Sequence, residues 1–279
     1  MEIFDRHLLR QHLAKAQNAF PQHDFLWQHS ARQIQDRLLD IKRDFNNALE
    51  ISLKPYVLTT EFLQQKRMGD VYHAAPLTGH ADLVLDEEFW PVRHHSLDAL
   101  VALNQLHWVN DVPGALTQFR QSLRPDGVVL GSFFGGETGQ ELRQVLAMAE
   151  TEIYGGISPR VSPFISLPDM AALMQRAQFA LPVVDHDLVT VTYDSFFKLL
   201  GDIRGMGQNN AVLKRNTRPL TRQFWQRAAE LYATHFSNKD GRLTATVELI
   251  YFLGWAPADN QPKPLARGSA THRLVDVLK

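Results

Sequence analysis

Between residues 46 and 134 short apolar runs alternate with amphipathic stretches, and a parallel sheet covered on both faces satisfies that pattern best. Ala48 to Leu53 reads as a strand, followed by a helix near Leu58 to Arg67. Asp70 to Ala74 and Ala81 to Leu85 read as two more short strands, and Leu97 to Leu103 as a buried one. A helix from about Pro113 to Leu123 starts with proline in its first turn. Arg124-Pro125-Asp126-Gly127 is a strong turn signal, and Gly127 to Phe134 is again strand-like. Ahead of this region Met1 to Asp44 reads as helical, with Ile34, Leu38, Ile41 and Phe45 on one stripe.

After Phe134 the pattern becomes helical. Glu137 to Ile153 carries Leu142, Val145, Leu146 and Ala149 on one face, and a loop runs from Gly155 to Phe164. Then follow a helix over Leu167 to Ala177, a strand pair near Leu181 to Tyr193, and helices near Asp194 to Arg204 and Pro219 to Phe236. Leu243 to Leu253 alternates Thr244, Thr246 and Glu248 with Ala245, Val247 and Leu249, as a half-exposed antiparallel strand at or near an edge would. No composition shift marks a linker, so a single α/β domain with helical additions is expected over the 279 residues.

The 29 basic and 30 acidic residues nearly cancel, so nothing in the balance drives the whole molecule onto nucleic acid, and no nucleic-acid partner is expected. The absence of cysteine excludes a disulfide framework, a zinc ribbon, an iron–sulfur cluster and a thiol nucleophile. The first residues lack a secretory pattern and no apolar run has membrane-spanning length, so a cytoplasmic setting is expected, with peripheral membrane contact left open. His94-His95 is a poor metal chelate because adjacent strand residues point to opposite faces, and no metal site is expected.

In an open α/β sheet ligands bind beyond the carboxyl ends of the strands. The loop Asp86-Glu87-Glu88-Phe89-Trp90-Pro91 offers carboxylates there, and a solvated acidic turn explains it equally. In Asn104-Gln105-Leu106-His107-Trp108-Val109-Asn110-Asp111, the histidine and tryptophan suit a pocket wall, whereas Trp108 as core and Asn110 or Asp111 as a helix start is the plainer account. Arg160 could position a carboxylate, although loop arginines are common. Lys214, Arg215, Arg218 and Arg222 read as a basic patch or as a solvated helix entry, and Phe196, Phe197, Trp225, Tyr232 and Phe236 as helix core.

The segments around Asp86 to Pro91, Leu106 to Asp111 and Leu123 to Gly127 resemble the Rossmann-like S-adenosylmethionine-dependent methyltransferases. Within them the chain is similar to the family of the mitochondrial complex I assembly factor of methyltransferase type. It is more distantly similar to the malonyl-carrier-protein methyltransferases of biotin synthesis. Phe4-Asp5-Arg6, Phe134-Gly135-Gly136-Glu137-Thr138, Leu146 to Glu152, Ser158-Pro159, Ser162-Pro163-Phe164, Gly205-Met206-Gly207 and Arg267 to Thr271 extend that similarity over nearly the whole chain. The resemblance implies a seven-stranded Rossmann-like methyltransferase sheet. It divides the chain into a helical extension (1–45), a cofactor-side half (46–134), helical insertions with the substrate side (135–242), a last strand (243–255) and a tail (256–279). It further implies S-adenosylmethionine held by Glu50, Asp86, Glu87, Gln105 and His107, and a substrate side formed by Trp108, Gly135, Gly136 and Arg160. The implied partner is a protein, in the mitochondrial members a complex I subunit whose arginine is hydroxylated. No catalytic base is assigned.

The sequence departs from the family where the cofactor should sit. The first strand should end in an acid and a Gly-x-Gly-x-Gly turn, because the backbone must approach the cofactor closely. Glu50 keeps the acid, but Ser52, Lys54 and Tyr56 occupy the glycine positions and Pro55 restricts the turn. The second strand ends in His73-Ala74-Ala75, without the acid that would pair with ribose hydroxyls. Asn-Pro-Pro-Tyr, a signature of methylation on base and glutamine amino groups, is absent. Two readings follow: S-adenosylmethionine-dependent methylation or hydroxylation of a protein partner, or a non-catalytic descendant that has lost the cofactor and serves as a binding or assembly factor.

Overall fold

The computed structural model describes residues 2–66, 68–77 and 81–262, together with Ser269. Two helices open the chain, α1 (Arg6–Ala16) and α2 (Phe25–Asp40), with a single 3-10 turn at Phe20–Gln22 between them. They are followed by β1 (Phe45–Ile51), α3 (Thr60–Gln65), β2 (Met68–Ala75), β3 (Leu83–Val84) and β4 (Leu97–Leu103). Then come α4 (Val112–Ser122), β5 (Leu123–Phe134), α5 (Gln140–Tyr154) and α6 (Leu167–Arg176). The order closes with β6 (Ala180–Tyr193), α7 (Phe196–Gly205), α8 (Arg222–Phe236) and β7 (Leu243–Trp255).

The strands form one seven-stranded sheet in the order β3-β2-β1-β4-β5-β7-β6, the expected methyltransferase-type architecture. β1 to β5 are parallel, and β7 runs antiparallel to both β5 and β6. The strand order reverses at β1 and β4, so the crevice of this fold opens beyond Ile51 and Leu103. Parallel strands buried on both faces need continuous apolar runs, and β4 meets this with all but Asp98 buried. One core cluster packs α4 and α6 against one face, with Leu100, Phe119 and Met170 inside it. A second sets Trp27, Ile34 and Leu38 of α2 against the other face. A third joins α5, α7 and α8 around Phe196, Phe224 and Tyr232.

Helix starts follow local chemistry. Asp5 caps α1 by accepting from the Leu8 amide, and Asp111 caps α4 by accepting from the Gly114 amide. A Cβ at position 114 would collide with the Asp111 carboxylate, so glycine there permits the cap.

Several local expectations are corrected. The opening helical region is broken at Gln17 to Asp24, and Phe45 opens β1 instead of continuing the α2 stripe, since Ile41 turns extended at the helix end. The turn signal at Arg124 to Gly127 is absorbed into β5 as a bulge, with Asp126 at φ 63° and a register shift against β4. The strand pair near Leu181 to Tyr193 is one continuous strand. Its polar middle resembles a turn in sequence, yet each side chain has a partner: Asp185 pairs with Arg37, Asp187 with His29 and His186 with Glu248. Pro182 sits at the irregularity of this edge strand, a place where a missing N–H is tolerated. Phe197, read as core, is 56% exposed. The family-like segment at Arg267 to Thr271 lies, apart from Ser269, outside the described residues.

Candidate functional site

At the end of β1 the Glu50 side chain is buried, and it turns back on its own loop. Its carboxylate accepts from the Tyr56 and Leu58 amides at 2.8 Å each and from the Val57 amide at 3.2 Å. The Ser52 hydroxyl is shared between Glu50 Oε1 (2.8 Å) and the Lys54 carbonyl oxygen (2.6 Å). Every residue from Ser52 to Val57 has a negative φ, so this turn follows a path that non-glycine residues adopt without strain. Lys54 and Tyr56 reach away to Asp24, just ahead of α2. Lys54 Nζ stands 2.8 Å from Asp24 Oδ2, the Tyr56 hydroxyl donates to the same oxygen at 2.7 Å, and the ammonium lies over the Tyr56 ring at 4.8 Å. Burial pushes the Asp24 carboxyl up, but hydrogen bonds from Lys54, Tyr56 and Gln28 outweigh it and hold the group below its ordinary range.

The acidic loop after β3 is also engaged. Arg6 of α1 bridges Asp86 (2.8 Å) and Glu87 (2.5 Å), and Arg10 pairs with Asp86 as well. Arg6 also donates to the Trp108 carbonyl oxygen. Around it, Asn110 Oδ1 accepts from the Ile3 and Phe4 amides, and Phe4 meets Trp108 edge-on at 5.2 Å. Burial raises the Asp86 carboxyl, yet the Glu88 amide and the charges of Arg6 and Arg10 hold it below its usual value. The chain's opening segment therefore straps the loops after β3 and β4 together. Sequence reasoning noted Phe4-Asp5-Arg6 without a role, because an ion pair across some eighty positions has no local signature.

After β4, Asn104 adopts φ 51°, a conformation asparagine tolerates, and its side chain joins Ser30 and Ser132 in a buried network. Gln105 is buried beside it. Gln208 Oε1 accepts from Trp108 Nε1 (2.6 Å) and lies 2.9 Å from His107 Nε2. Because that oxygen only accepts, Nε2 carries the proton, and Nδ1 is buried with no hydrogen-bond partner among the described residues. Phe134, Trp108 and Phe164 surround the imidazole, and burial lowers its pKa to about 4, so it is neutral at pH 7.

Two cavities flank these residues and share Met206 as a wall. The larger, about 410 Å³, lies where the crevice opens, between Leu53, Lys54 and Pro55 of the β1 loop, Ala75 and Leu77 beyond β2, and Leu13, Ala16, Gln17 and Phe20 of the opening segment. The smaller, about 140 Å³, lies on the other side of Met206, among Phe134, Thr138, Arg160, Ser162, Phe164 and Gln208. Arg160, expected on the substrate side, does line this second cavity, but one terminal nitrogen is held by Glu150 at 2.7 Å. Gly135 and Gly136 stand outside both linings. Gly135 is pressed against the Glu248 carboxylate, leaving no room for a Cβ. Glu50, Asp86, Glu87, Gln105, His107 and Trp108 likewise line neither cavity.

These residues do not fit S-adenosylmethionine. Among the described residues the larger cavity is lined by no carboxylate that could pair with ribose hydroxyls or offset a sulfonium and an ammonium, and Lys54 stands on its wall instead. Asp86 and Glu87 already hold Arg6, and Lys54 and Tyr56 of the β1 loop are held by Asp24. Among the described residues no group of histidine and acidic side chains could hold a metal ion, and no helix is long and apolar enough to cross a membrane.

The methyltransferase-domain family matches residues 50–131. The arginine-hydroxylase NDUFAF5 of rat mitochondria is 37% identical over the whole of this chain and 84% of its own length. The malonyl-[acyl-carrier protein] O-methyltransferase of Xylella fastidiosa is 36% identical over 69% of this chain and 61% of that protein. Among solved structures, a Bacillus halodurans protein described as a methyltransferase superposes with a TM-score of 0.53 at 12% identity, covering 81% of this chain and 98% of that one, a likeness of fold alone. The expected cytoplasmic setting is overturned by these relatives: the mammalian proteins matched over almost the full chain are mitochondrial.

Proposed function

The chain belongs to the family of the mitochondrial arginine-hydroxylase NDUFAF5, and from that premise we propose that it binds a protein partner in complex I assembly without S-adenosylmethionine chemistry of its own. One observation carries the second half of this reading. Among the described residues the cavity at the crevice of the sheet has a lysine and no carboxylate on its wall, and the loop that should cradle the cofactor is tied to Asp24. The family resemblance supports the first half, since it runs through segments outside the cofactor loops, such as Phe134 to Thr138 and Gly205 to Gly207.

The test is complementation. Cells lacking this protein are expected to assemble less complex I, and the wild-type chain is expected to restore it. A variant with the crevice cavity filled, Ala75→Phe, is expected to restore assembly as well, provided its melting temperature shows that it folds. A folded Ala75→Phe chain that fails to rescue would mean that a ligand in this cavity is required, and the reading would fall.

A further inference from the structure

One edge of the sheet is β6, a strand of 14 residues that pairs with β7 on one side. Its partner strand shows which of its backbone groups face outward. The Glu248 carbonyl oxygen accepts from the Gly135 amide, and the Glu248 N–H donates to the Thr138 hydroxyl. The Thr246 carbonyl oxygen accepts from the Gly139 amide, and the Thr246 N–H donates to Glu141. Both residues therefore direct their backbone groups away from β6. Residues of an antiparallel ladder alternate between bonding the facing strand and turning outward. Leu188 lies opposite Glu248 and Thr190 opposite Thr246, so both turn their own N–H and C=O groups outward, as does His186 two residues earlier. Among the described residues nothing bonds the backbone of these three from outside the sheet, whereas the Thr192 carbonyl oxygen accepts from Arg242.

A bare edge recruits another strand unless proline, a bulge or charge guards it. β6 is guarded in its first half, by Pro182 with the register irregularity and then by Asp185, His186 and Asp187. From Leu188 to Thr192 it reads Leu-Val-Thr-Val-Thr, without charge, proline or glycine, and Leu188 is 53% exposed. The strand also fits itself. When two copies pair antiparallel about a two-fold axis, the outward groups meet only if the axis passes an outward-facing residue. An axis at His186 sets Asp185 opposite the partner's Asp187, and like charges directly opposite are unfavourable. An axis at Thr190 brings in Thr192, whose carbonyl oxygen Arg242 already holds. An axis at Leu188 sets Leu188 against the partner's Leu188 and His186 against the partner's Thr190. It also sets Asp187 opposite the partner's Val189 and Asp185 opposite the partner's Val191, so no like charges meet.

We propose that β6 is a self-association edge: a second copy of this chain pairs with it antiparallel about an axis at Leu188, and one sheet runs through both copies. His186, Leu188 and Thr190 each exchange both backbone hydrogen bonds with the facing residue. The pairing lies at the opposite edge of the sheet from β3 and does not involve the crevice.

Sedimentation velocity of the full chain over a micromolar concentration series is expected to show a reversible monomer–dimer equilibrium. Leu188→Lys sets two ammonium groups against each other across the axis. Thr190→Pro removes an outward N–H and spares the ladder to β7. Each is expected to weaken the dimer at least about tenfold, since the axis doubles every loss. Leu188→Lys changes an exposed side chain, so its melting temperature at high dilution is expected to match the wild type's. Crosslinking reads the register, because the chain has no cysteine of its own. Directly opposite residues that exchange hydrogen bonds have Cα atoms about 5.5 Å apart, within disulfide range. Leu188→Cys is therefore expected to give a disulfide-linked dimer with oxidised glutathione. Val183→Cys, which the pairing sets opposite the partner's Tyr193, is expected to stay uncrosslinked. A wild type that is monomeric throughout the series would overturn the proposal and leave the edge to a strand of another protein. A dimer that withstands either variant in folded form, or crosslinking of Leu188→Cys no better than that of Val183→Cys, would overturn it as well.

Discussion

At the end of β1 a single carboxylate organises the turn that follows it: Glu50 accepts from Ser52, Tyr56, Val57 and Leu58. The acid was legible as the residue that closes the first strand of this fold, but its job is to hold the loop. No spacing rule reveals that, because three of its four donors are backbone amides of the residues just beyond. Truncating it strands several buried N–H groups, so Glu50→Ala is expected to lower unfolding stability by about 3 kcal/mol or more, with Glu50→Gln losing less, measured by urea denaturation. His107 gives a pH signature. Its pKa falls from 6.5 in the unfolded chain to about 4 in the folded one, because burial disfavours the imidazolium. Between those values the unfolded state binds the extra proton, so stability rises with pH from about 4 to 6.5. Wild-type protein is expected to lose up to roughly 3 kcal/mol as the pH falls through this window, and His107→Gln to lack that part of the slope. Equal slopes in urea melts at pH 4.5 and 7 would contradict the assignment. His12, whose pKa is also lowered, chiefly by burial, acts in the same direction in both proteins and cancels in the comparison.

Elements that carry their own periodicity were readable: β4, α4, α5 and α8 lie where apolar spacing and capping residues place them. Elements defined by contacts with distant segments were not. β6 was read as a strand pair, and the polar Asp185, His186 and Asp187 in the middle of the single strand find their partners on α2 and β7. The same holds for the docking of α1. Arg6 is largely buried between Asp86 and Glu87, whereas Arg10 is half-exposed. Removing one member of a buried pair is expensive and removing a surface partner is not. Arg6→Ala is therefore expected to cost roughly 3 kcal/mol, and Arg10→Ala less than about 1 kcal/mol. Hydrogen exchange should show α1 losing protection in the first variant before the sheet does. The pair is also acid-sensitive. The folded Asp86 carboxyl titrates below its ordinary value, so its contribution is full above about pH 4 and is lost as pH falls through the lower, folded value.

Over the whole molecule the covered parallel sheet followed from the alternation of short apolar runs, the antiparallel last strand from its own alternation, and the seven-stranded sheet from the family resemblance; the strand order emerged only in the structure. The relation between crevice and cofactor was partly legible. Three side chains at glycine positions foretold a changed loop, but not that Lys54 and Tyr56 would be held by Asp24, nor that Asp86 and Glu87 would be taken by Arg6. Each of those contacts joins segments far apart in the chain, so each exists only once the sheet has assembled. The central claim is that this fold has kept its architecture while its crevice no longer accepts S-adenosylmethionine. Isothermal titration calorimetry of the full chain with S-adenosylmethionine and S-adenosylhomocysteine tests it most directly. The account predicts no saturable heat for either compound up to millimolar concentration, and one-to-one binding at micromolar concentration would contradict it and restore an enzymatic reading.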